Sequence, residues 1–517
     1  MASSRLLRRC AVISLLLALL LACAPQSVLL LNRALVLSLA LSPAVLLSPA
    51  AAASSTIQQC LFLPALRHAL GRSAALTKWG QWAATRPDLV PPSVCEALSV
   101  LHAHAPAHAA AISRAEVEAA TGASIEDYFD AWEDEPLASG SIGQVHLARL
   151  NGSAVAVKVR HPRVGAELEA DFRLLELLAR AVDSVPGLRW LDAQSTVKQF
   201  GWALQRQASL EEEARWLRLV GRNFEAWGDV LLPAPLSASP SVLIETLVPG
   251  APIGEYINFA AATASAHDPI RGRARQLSVA QRHYIVQRGV DIYYKMLLAD
   301  NLMHADLHPG NLLFSADGRG GLGTIGMVDL GMTAVLTASE QHNFIGFLQA
   351  VGEGDGRAAA RCVLRWAGGG GGSGSGGGGS GGGGYGAPAG EASLRDVAFA
   401  DAMASSFGRH CRGYGHGIDL GVVLRETLSL IREHRVAVGA NYVTLVVNAM
   451  CLEGMARQLV PEYNVMDAAR PLLVAHAKLP RSIFGAISPA ARFAKRVHDR
   501  TVLQRLLREG ARIAPRE

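Results

Sequence analysis

His304-Ala-Asp306-Leu-His-Pro-Gly-Asn311, followed by Met327-Val-Asp329-Leu-Gly331, is the stretch on which the reading of this 517-residue chain turns. Phosphoryl transfer to a hydroxyl needs a carboxylate to orient the nucleophile and an amide oxygen nearby to help hold a metal ion. An Asp-x-x-x-x-Asn spacing puts both on one loop, and Asp306 and Asn311 have that spacing. Downstream, Asp329 follows the apolar run Ile325–Val328 and precedes a glycine. An Asp at a strand end can present its carboxylate to a Mg²⁺ that bridges nucleotide phosphates. Asp-Leu-Gly alone is also a common turn, with the Asp serving only as a cap. Together with the upstream octapeptide it points to Asp306 as base or water-orienting group and to Asn311 and Asp329 as metal ligands.

Upstream lies Ala154-Val-Ala-Val-Lys158-Val159, an apolar β-type run entered from the turn Asn151-Gly152, which is a hairpin signal. It resembles the kinase strand whose lysine grips the α- and β-phosphates of ATP. A lone strand lysine is ordinarily an exposed edge residue. Lys158, however, lies 18 residues after Gly140 and precedes the Asp306 loop in the order a kinase uses. Its carboxylate partner falls among Glu211, Glu212 and Glu213.

Composition bounds the rest. With 49 Lys/Arg against 44 Asp/Glu the net charge is +5, too modest to suggest a nucleic-acid binder. Seven cysteines without a Cys-x-x-Cys pair support neither a disulfide framework nor a zinc site. The first acidic residue is Asp88. Residues 1–55 carry Arg5, Arg8 and Arg9, then the apolar runs Ala11–Ala22 and Ser27–Leu47, the second interrupted by Asn32, Arg33 and Pro43. An organellar transit peptide, a secretory leader and a membrane-crossing segment all fit that pattern. Residues 56–130 read as helical. Residues 131–250 read as β-rich with a helical insertion, including the strand Ser241–Val248, and residues 251–470 read as largely helical. An all-Gly/Ser run, 368–384, reads as a disordered linker. It is not a phosphate loop, since no Lys-Ser/Thr follows it. Residues 471–517 form a basic tail, with ten Lys/Arg and three Asp/Glu from Lys478 onward, suited to a solvated helix or an anionic membrane surface.

These residues resemble the UbiB/ADCK (aarF-domain) family of atypical kinases. Four motifs carry the likeness over about residues 70–350: Lys78-Trp-Gly-Gln81, Leu137-Ala-Ser-Gly-Ser-Ile-Gly-Gln-Val-His146, His304–Asn311 and Val328-Asp-Leu-Gly331. Ordinary protein kinases lack the first two. Trp82 after Gly-Gln and Leu307 are most similar to mitochondrial members. The resemblance implies an α+β, bilobal protein-kinase-like fold, with a small β-rich N-lobe, a helical C-lobe and an added N-terminal helical segment. It implies that Lys78 and Gln81 face the phosphates on a helix that blocks peptide docking. The loop of Ala138, Ser139, Gly140, Ser141 and Gly143 would cover the nucleotide. The family's Glu-Ala maps onto Glu213-Ala214, which selects Glu213 as partner of Lys158. The sequence departs from the family at Gln207-Ala-Ser209, where an acidic pair often stands, and at Gly140, where many members have Ala. No Ala-Pro-Glu follows Asp329.

The expected function is therefore that of an ATP- and Mg²⁺-dependent atypical kinase or ATPase supporting coenzyme Q or lipid metabolism at an organelle membrane. Its expected partners are a lipid or quinone precursor, the membrane surface and proteins of quinone biosynthesis, with no nucleic acid. The expected location is the mitochondrion, with the plastid as alternative, because both transit peptides are basic and acid-poor. Two other readings stand beside it: a small-molecule phosphotransferase of the aminoglycoside or choline kinase type, and a nucleotide-binding scaffold without turnover.

Overall fold

A computed structural model describes residues 25–84, 92–99, 107–185, 193–194, 197–198, 201, 204, 208–262, 277–316, 322–368, 389–436 and 438–478. The first apolar run, the Gly/Ser run beyond Gly368, Gln207 and the basic tail beyond Lys478 lie outside the described residues. The fold is α+β and divides into two compact units. One comprises the chain up to Gly152, Val157–Leu210 and Ser239–Val242; the other comprises Ser153–Ala156, Glu211–Ala238 and the chain from Leu243.

The first unit begins with α1 (Pro25–Ala53), α2 (Leu63–Leu70), α3 (Ala74–Ala84), α4 (Pro92–Ser99) and α5 (Ala110–Thr121). Residues 25–53, part of the stretch read as a leader or membrane-crossing segment, form α1, which packs into this unit. Helix α1 runs through Pro43 and Pro49, and Arg33 is turned inward. Its guanidinium makes a fork with Asp171 of α6 (Val164–Ser184), Nε to Oδ1 at 2.7 Å and Nη2 to Oδ2 at 2.5 Å. Ser73 donates its hydroxyl to the same carboxylate and accepts the Leu76 N–H at the start of α3, at 3.1 Å. Around this polar node, Leu37, Leu70, Leu76 and Leu98 form one core with Leu41, Trp79 and Leu175 against it. The residue that interrupts the apolar run in sequence is the one that fastens the helix.

The β-part is a six-stranded sheet in the order β1-β3-β4-β7-β6, with β2 on β3. Its strands are β1 (Ala131–Trp132), β2 (Ala138–Ser139), β3 (Gly143–Leu150), β4 (Ser153–Arg160), β6 (Pro235–Ala238) and β7 (Val242–Thr246), with β5 (Val230–Leu231) in another sheet. The β3–β4 hairpin turns on Asn151 (φ 49°) and Gly152 (φ 76°), the two positive φ values that a two-residue turn demands. On β4, Val155, Val157 and Val159 are buried and Lys158 alternates onto the other face, half-buried.

The second unit holds α7 (Leu210–Phe224) from its second residue, then α8 (Ile253–Ala262), α9 (Val279–Lys295), α10 (Ala338–Glu353), α11 (Gly356–Gly368), α12 (Ala389–His410), α13 (Leu420–Glu433), α14 (Ala440–Leu459) and α15 (Val465–Lys478). Within this stretch stand two small sheets, of which the apolar pattern reveals only the strand at Ile325–Val328. One is β5-β11-β10-β8 and the other β12-β9, from β8 (Ala251–Pro252), β9 (Leu302–His304), β10 (Leu312–Ser315), β11 (Thr324–Met327) and β12 (Thr333–Val335). Strands of two to four residues are too short to display a period of two. Their antiparallel register, Leu312 opposite Met327 and Thr333 opposite His304, sets the loops that carry the motif residues.

Candidate active site

In the second unit, α9 ends in a π-turn, Met296–Asp300, closed by Asn301 at φ 53° and by Lys295 paired to Asp300 at 2.7 Å. The chain then enters β9 and the motif loop. His304 is buried and organises that loop. The Asp306 N–H donates to its Nδ1 at 3.1 Å, which leaves Nε2 as the protonated nitrogen, facing the Val328 carbonyl at 3.4 Å. Burial holds the His304 pKa below the ordinary histidine value, so the ring is neutral. Asn311, buried, donates Nδ2–H to the Asp306 carbonyl at 3.0 Å, and its own carbonyl accepts the Val328 N–H at 3.0 Å. One hydrogen-bonded frame thus ties Asp306, Asn311 and the residue before Asp329.

Asp329 itself has φ 57°, the left-handed region in which Asp is among the few tolerated side chains. That conformation stores about 1–3 kcal/mol of strain, of the kind found at functional sites. The Asp329 carboxylate accepts the Gly331 N–H at 3.4 Å. With the Asn311 amide oriented by its Nδ2 bond, this site offers hard oxygen donors of the type that suits Mg²⁺. Among the described residues no group of three His, Cys, Asp or Glu could hold a metal ion. A Mg²⁺ with few protein ligands, completed by phosphate and water, fits this donor set.

From beneath, Leu307, Pro309 and Leu312 meet Cys451, Leu452 and Met455 of α14 around a small apolar cavity. Burial, and then the nearby Asp306 charge, push the Cys451 thiol up to about 11. Asn448 of the same helix donates Nδ2–H to the His304 carbonyl at 2.6 Å. Of the three consecutive acids on α7, Glu213 is the buried one, 2% exposed, whereas Glu212 pairs with the exposed Arg215.

In the first unit, the loop Ala138–Gly143 joins β2 to β3, with Ala138 opposite Val145 and Ser139 opposite Gln144. The Gly140 N–H donates to the Gly143 carbonyl at 2.9 Å. A Cβ on Gly143 would stand 2.5 Å from the Val159 carbonyl, so only glycine fits where β3 approaches β4. Among the described residues the buried Ser139 hydroxyl has no hydrogen-bond partner, as a group kept for a ligand would be. Ile142 is buried in one core with Ala75 of α3 and with Val164, Leu168 and Phe172 of α6, and Trp79 packs against it. The loop and the helix bearing Lys78 and Gln81 therefore rest on one core. Those two side chains, one turn apart on α3, are both half-buried.

The residue-by-residue reading missed Asn448, the role of His304 and, as developed below, His161. Asn448 left one signal, a lone amide in the apolar run Leu445-Val-Val-Asn448-Ala449.

Comparison with known proteins places this architecture. The model of the ABC1 atypical kinase-like domain matches residues 100–363, just over half the chain. A probable serine/threonine-protein kinase of Dictyostelium discoideum, abkC, is 26% identical over 86% of this chain and 68% of its own length. A mitochondrial ABC1 family protein of Schizosaccharomyces pombe is 25% identical over 77% of this chain and 63% of its own length. The probable protein kinase UbiB of Aeromonas hydrophila is 27% identical over 80% and 71%. With the domain matched across the Ala138–Gly143 loop, the Asp306–Asn311 loop and Asp329, the chain belongs to the ABC1 atypical kinase-like family.

Proposed function

We propose that this protein binds Mg-ATP and acts as an atypical kinase or ATPase in coenzyme Q or lipid metabolism at a mitochondrial membrane. The observation that carries the reading is the frame in which Asn311 Nδ2 holds the Asp306 carbonyl while the Asn311 carbonyl holds Val328, next to Asp329. In this reading Lys158 grips the phosphates with Glu213 as its carboxylate partner, and the amides of Ser139–Gly143 cover them. Lys78 and Gln81 face the phosphates, and Asn311 and Asp329 hold the metal. Mg²⁺, when bound, neutralises charge on the phosphates. Asp306 orients the attacking hydroxyl or water and takes its proton.

Family membership supports ATP as the ligand. The mitochondrial name of the fission-yeast relative and the UbiB name of the bacterial one support the location and the quinone connection. Membrane contact is supported by α1, where Val28–Ala51 has mean hydropathy 1.9 and Leu31, Leu35, Leu39 and Leu46 are exposed. That face suits a lipid surface while Arg33 keeps the helix fastened to Asp171.

ATP turnover by Asp306→Asn tests the chemistry. The expected result is a loss of about 10²-fold or more in kcat, the typical worth of a positioned base, with Mg-ATP affinity retained. Unchanged turnover would mean that Asp306 has no part in the reaction.

A further inference from the structure

His161 stands three residues beyond Lys158, just past the end of β4. It grips the nucleotide loop twice. Its backbone N–H donates to the Ile142 carbonyl at 2.9 Å, and its Nε2 faces the Gly140 carbonyl at 2.8 Å. A carbonyl only accepts, so Nε2 carries the proton and, in the neutral ring, Nδ1 is an acceptor. Facing that Nδ1 at 2.6 Å is Nδ1 of His108, with the rings edge to face, and His108 must be the donor.

The remaining tautomers then follow from the network. His108 Nε2 accepts the Ser113 hydroxyl proton at 2.9 Å. Gln144 Nε2 donates to Ser113 Oγ at 3.1 Å and to His146 Nε2 at 3.0 Å. His146 Nδ1–H donates to the Glu133 carbonyl at 2.9 Å, and Gln144 Oε1 accepts the His108 N–H at 2.9 Å. Burial holds the His108 and His146 pKa values below the ordinary histidine value, and in this assignment every ring hydrogen finds an acceptor. Ser113, Gln144 and His146 are each 0% exposed, so this is a built interior network.

We propose that His161 is a positioning residue for the nucleotide loop, and that His108 behind it selects the tautomer in which the His161 Nε2–H faces the Gly140 carbonyl. Peptide planarity gives the consequence. In a trans peptide the carbonyl and the following N–H point in opposite directions. Holding the Gly140 and Ile142 carbonyls toward His161 therefore aims the Ser141 and Gly143 N–H groups the other way, as donors to an anion must be aimed together. Gly140 brings backbone freedom to the loop, and His161 removes it in advance of binding. The inference rests on the reading of this loop as the phosphate cover and adds what presets it.

The test uses the full chain with His161→Phe, which keeps an aromatic ring but no nitrogen, and His161→Gln, which restores an N–H near the Nε2 position. A second pair, His108→Phe and His108→Asn, removes and restores the donor behind it. Two quantities are read: hydrogen–deuterium exchange of the Ser139–Gln144 amides without nucleotide, and Mg-ATP affinity with the kinetic constants. His161→Phe is expected to speed loop exchange and to weaken ATP binding about 5- to 10-fold, the worth of one lost hydrogen bond. It raises KM for ATP more than it lowers kcat. His161→Gln and His108→Asn recover most of each loss.

Loop exchange and affinity unchanged in His161→Phe would overturn the proposal. So would a loss that His161→Gln fails to recover, since the role would then be packing. A wild type that does not bind Mg-ATP overturns the nucleotide reading instead. That failure is distinguishable, because loop exchange needs no ligand.

Discussion

Asp329 is held in a backbone conformation that an ordinary side chain avoids, and two residues on a glycine N–H meets its carboxylate. Its placement depends on neighbours that hold the residue before it. His304 bonds the Val328 carbonyl and Asn448 bonds the His304 carbonyl, so a helix far along the chain steadies the residue before Asp329 through two hydrogen bonds. Replacing Asn448 with Ala removes the donor and leaves a buried carbonyl bare. The expected cost is about 1–3 kcal/mol, read as a lower urea midpoint, together with reduced turnover. A variant as stable and as active as wild type would remove Asn448 from this account. At this scale the candidate residues were legible: Asp306, Asn311 and Asp329, singled out by type and spacing, stand on one hydrogen-bonded frame. Asn448 and His161 were not, since each acts through a partner that folding alone brings near.

Helix α1 shows how one element escapes a hydropathy reading. Its apolar run is long enough to cross a bilayer, yet Arg33 within it meets Asp171, 138 residues away. Neither the partner nor the burial is visible in a local window. Asp171, 1% exposed, also receives the Ser73 hydroxyl at the head of α3, so the same carboxylate fastens the helix that bears Lys78 and Gln81. Hydrogen bonding to Asp171 is the main cause that raises the Arg33 pKa, so the guanidinium remains charged. Asp171→Ala takes away the main partner of the buried Arg33, leaving Glu167 at 3.4 Å, and is expected to cost about 3–5 kcal/mol in chemical denaturation. The double variant Arg33→Leu with Asp171→Leu is expected to cost less than the sum of the single changes, because each single removes the main partner of a buried charge. Additive costs would show that the pair does not hold α1. The short strands β8, β9, β10 and β12 were hidden for the opposite reason, having too few residues for any period to register, whereas β11 showed as the apolar run before Asp329.

For the molecule as a whole, the four motifs and the family resemblance they carry implied the kinase-like α+β class before any contact was known. Stability against pH also belongs to this scale. Burial holds His108 down to about 4, with His161 and His146 adding to the effect, and it lowers His146 and His304 as well. An unfolded histidine takes up its proton near pH 6.5. Between that value and about 4 the unfolded chain binds more protons than the folded one at His108. The contribution is complete above about pH 6.5 and is lost progressively as the pH falls from there through about 4. Urea midpoints should therefore fall between pH 7 and pH 5, and less so in His108→Asn; equal slopes in the two proteins would contradict the neutral network.

The central claim is that this chain holds Mg-ATP through Asp329, and a thermal melt tests it most directly. The full chain is heated with and without Mg-ATP, beside Asp329→Asn. Nucleotide at about a hundred times its dissociation constant should add about 2.7 kcal/mol, a clear rise in Tm. The account predicts a rise that requires magnesium and disappears in Asp329→Asn. A well-folded wild type whose Tm does not move, or an equal rise in the variant, would contradict it.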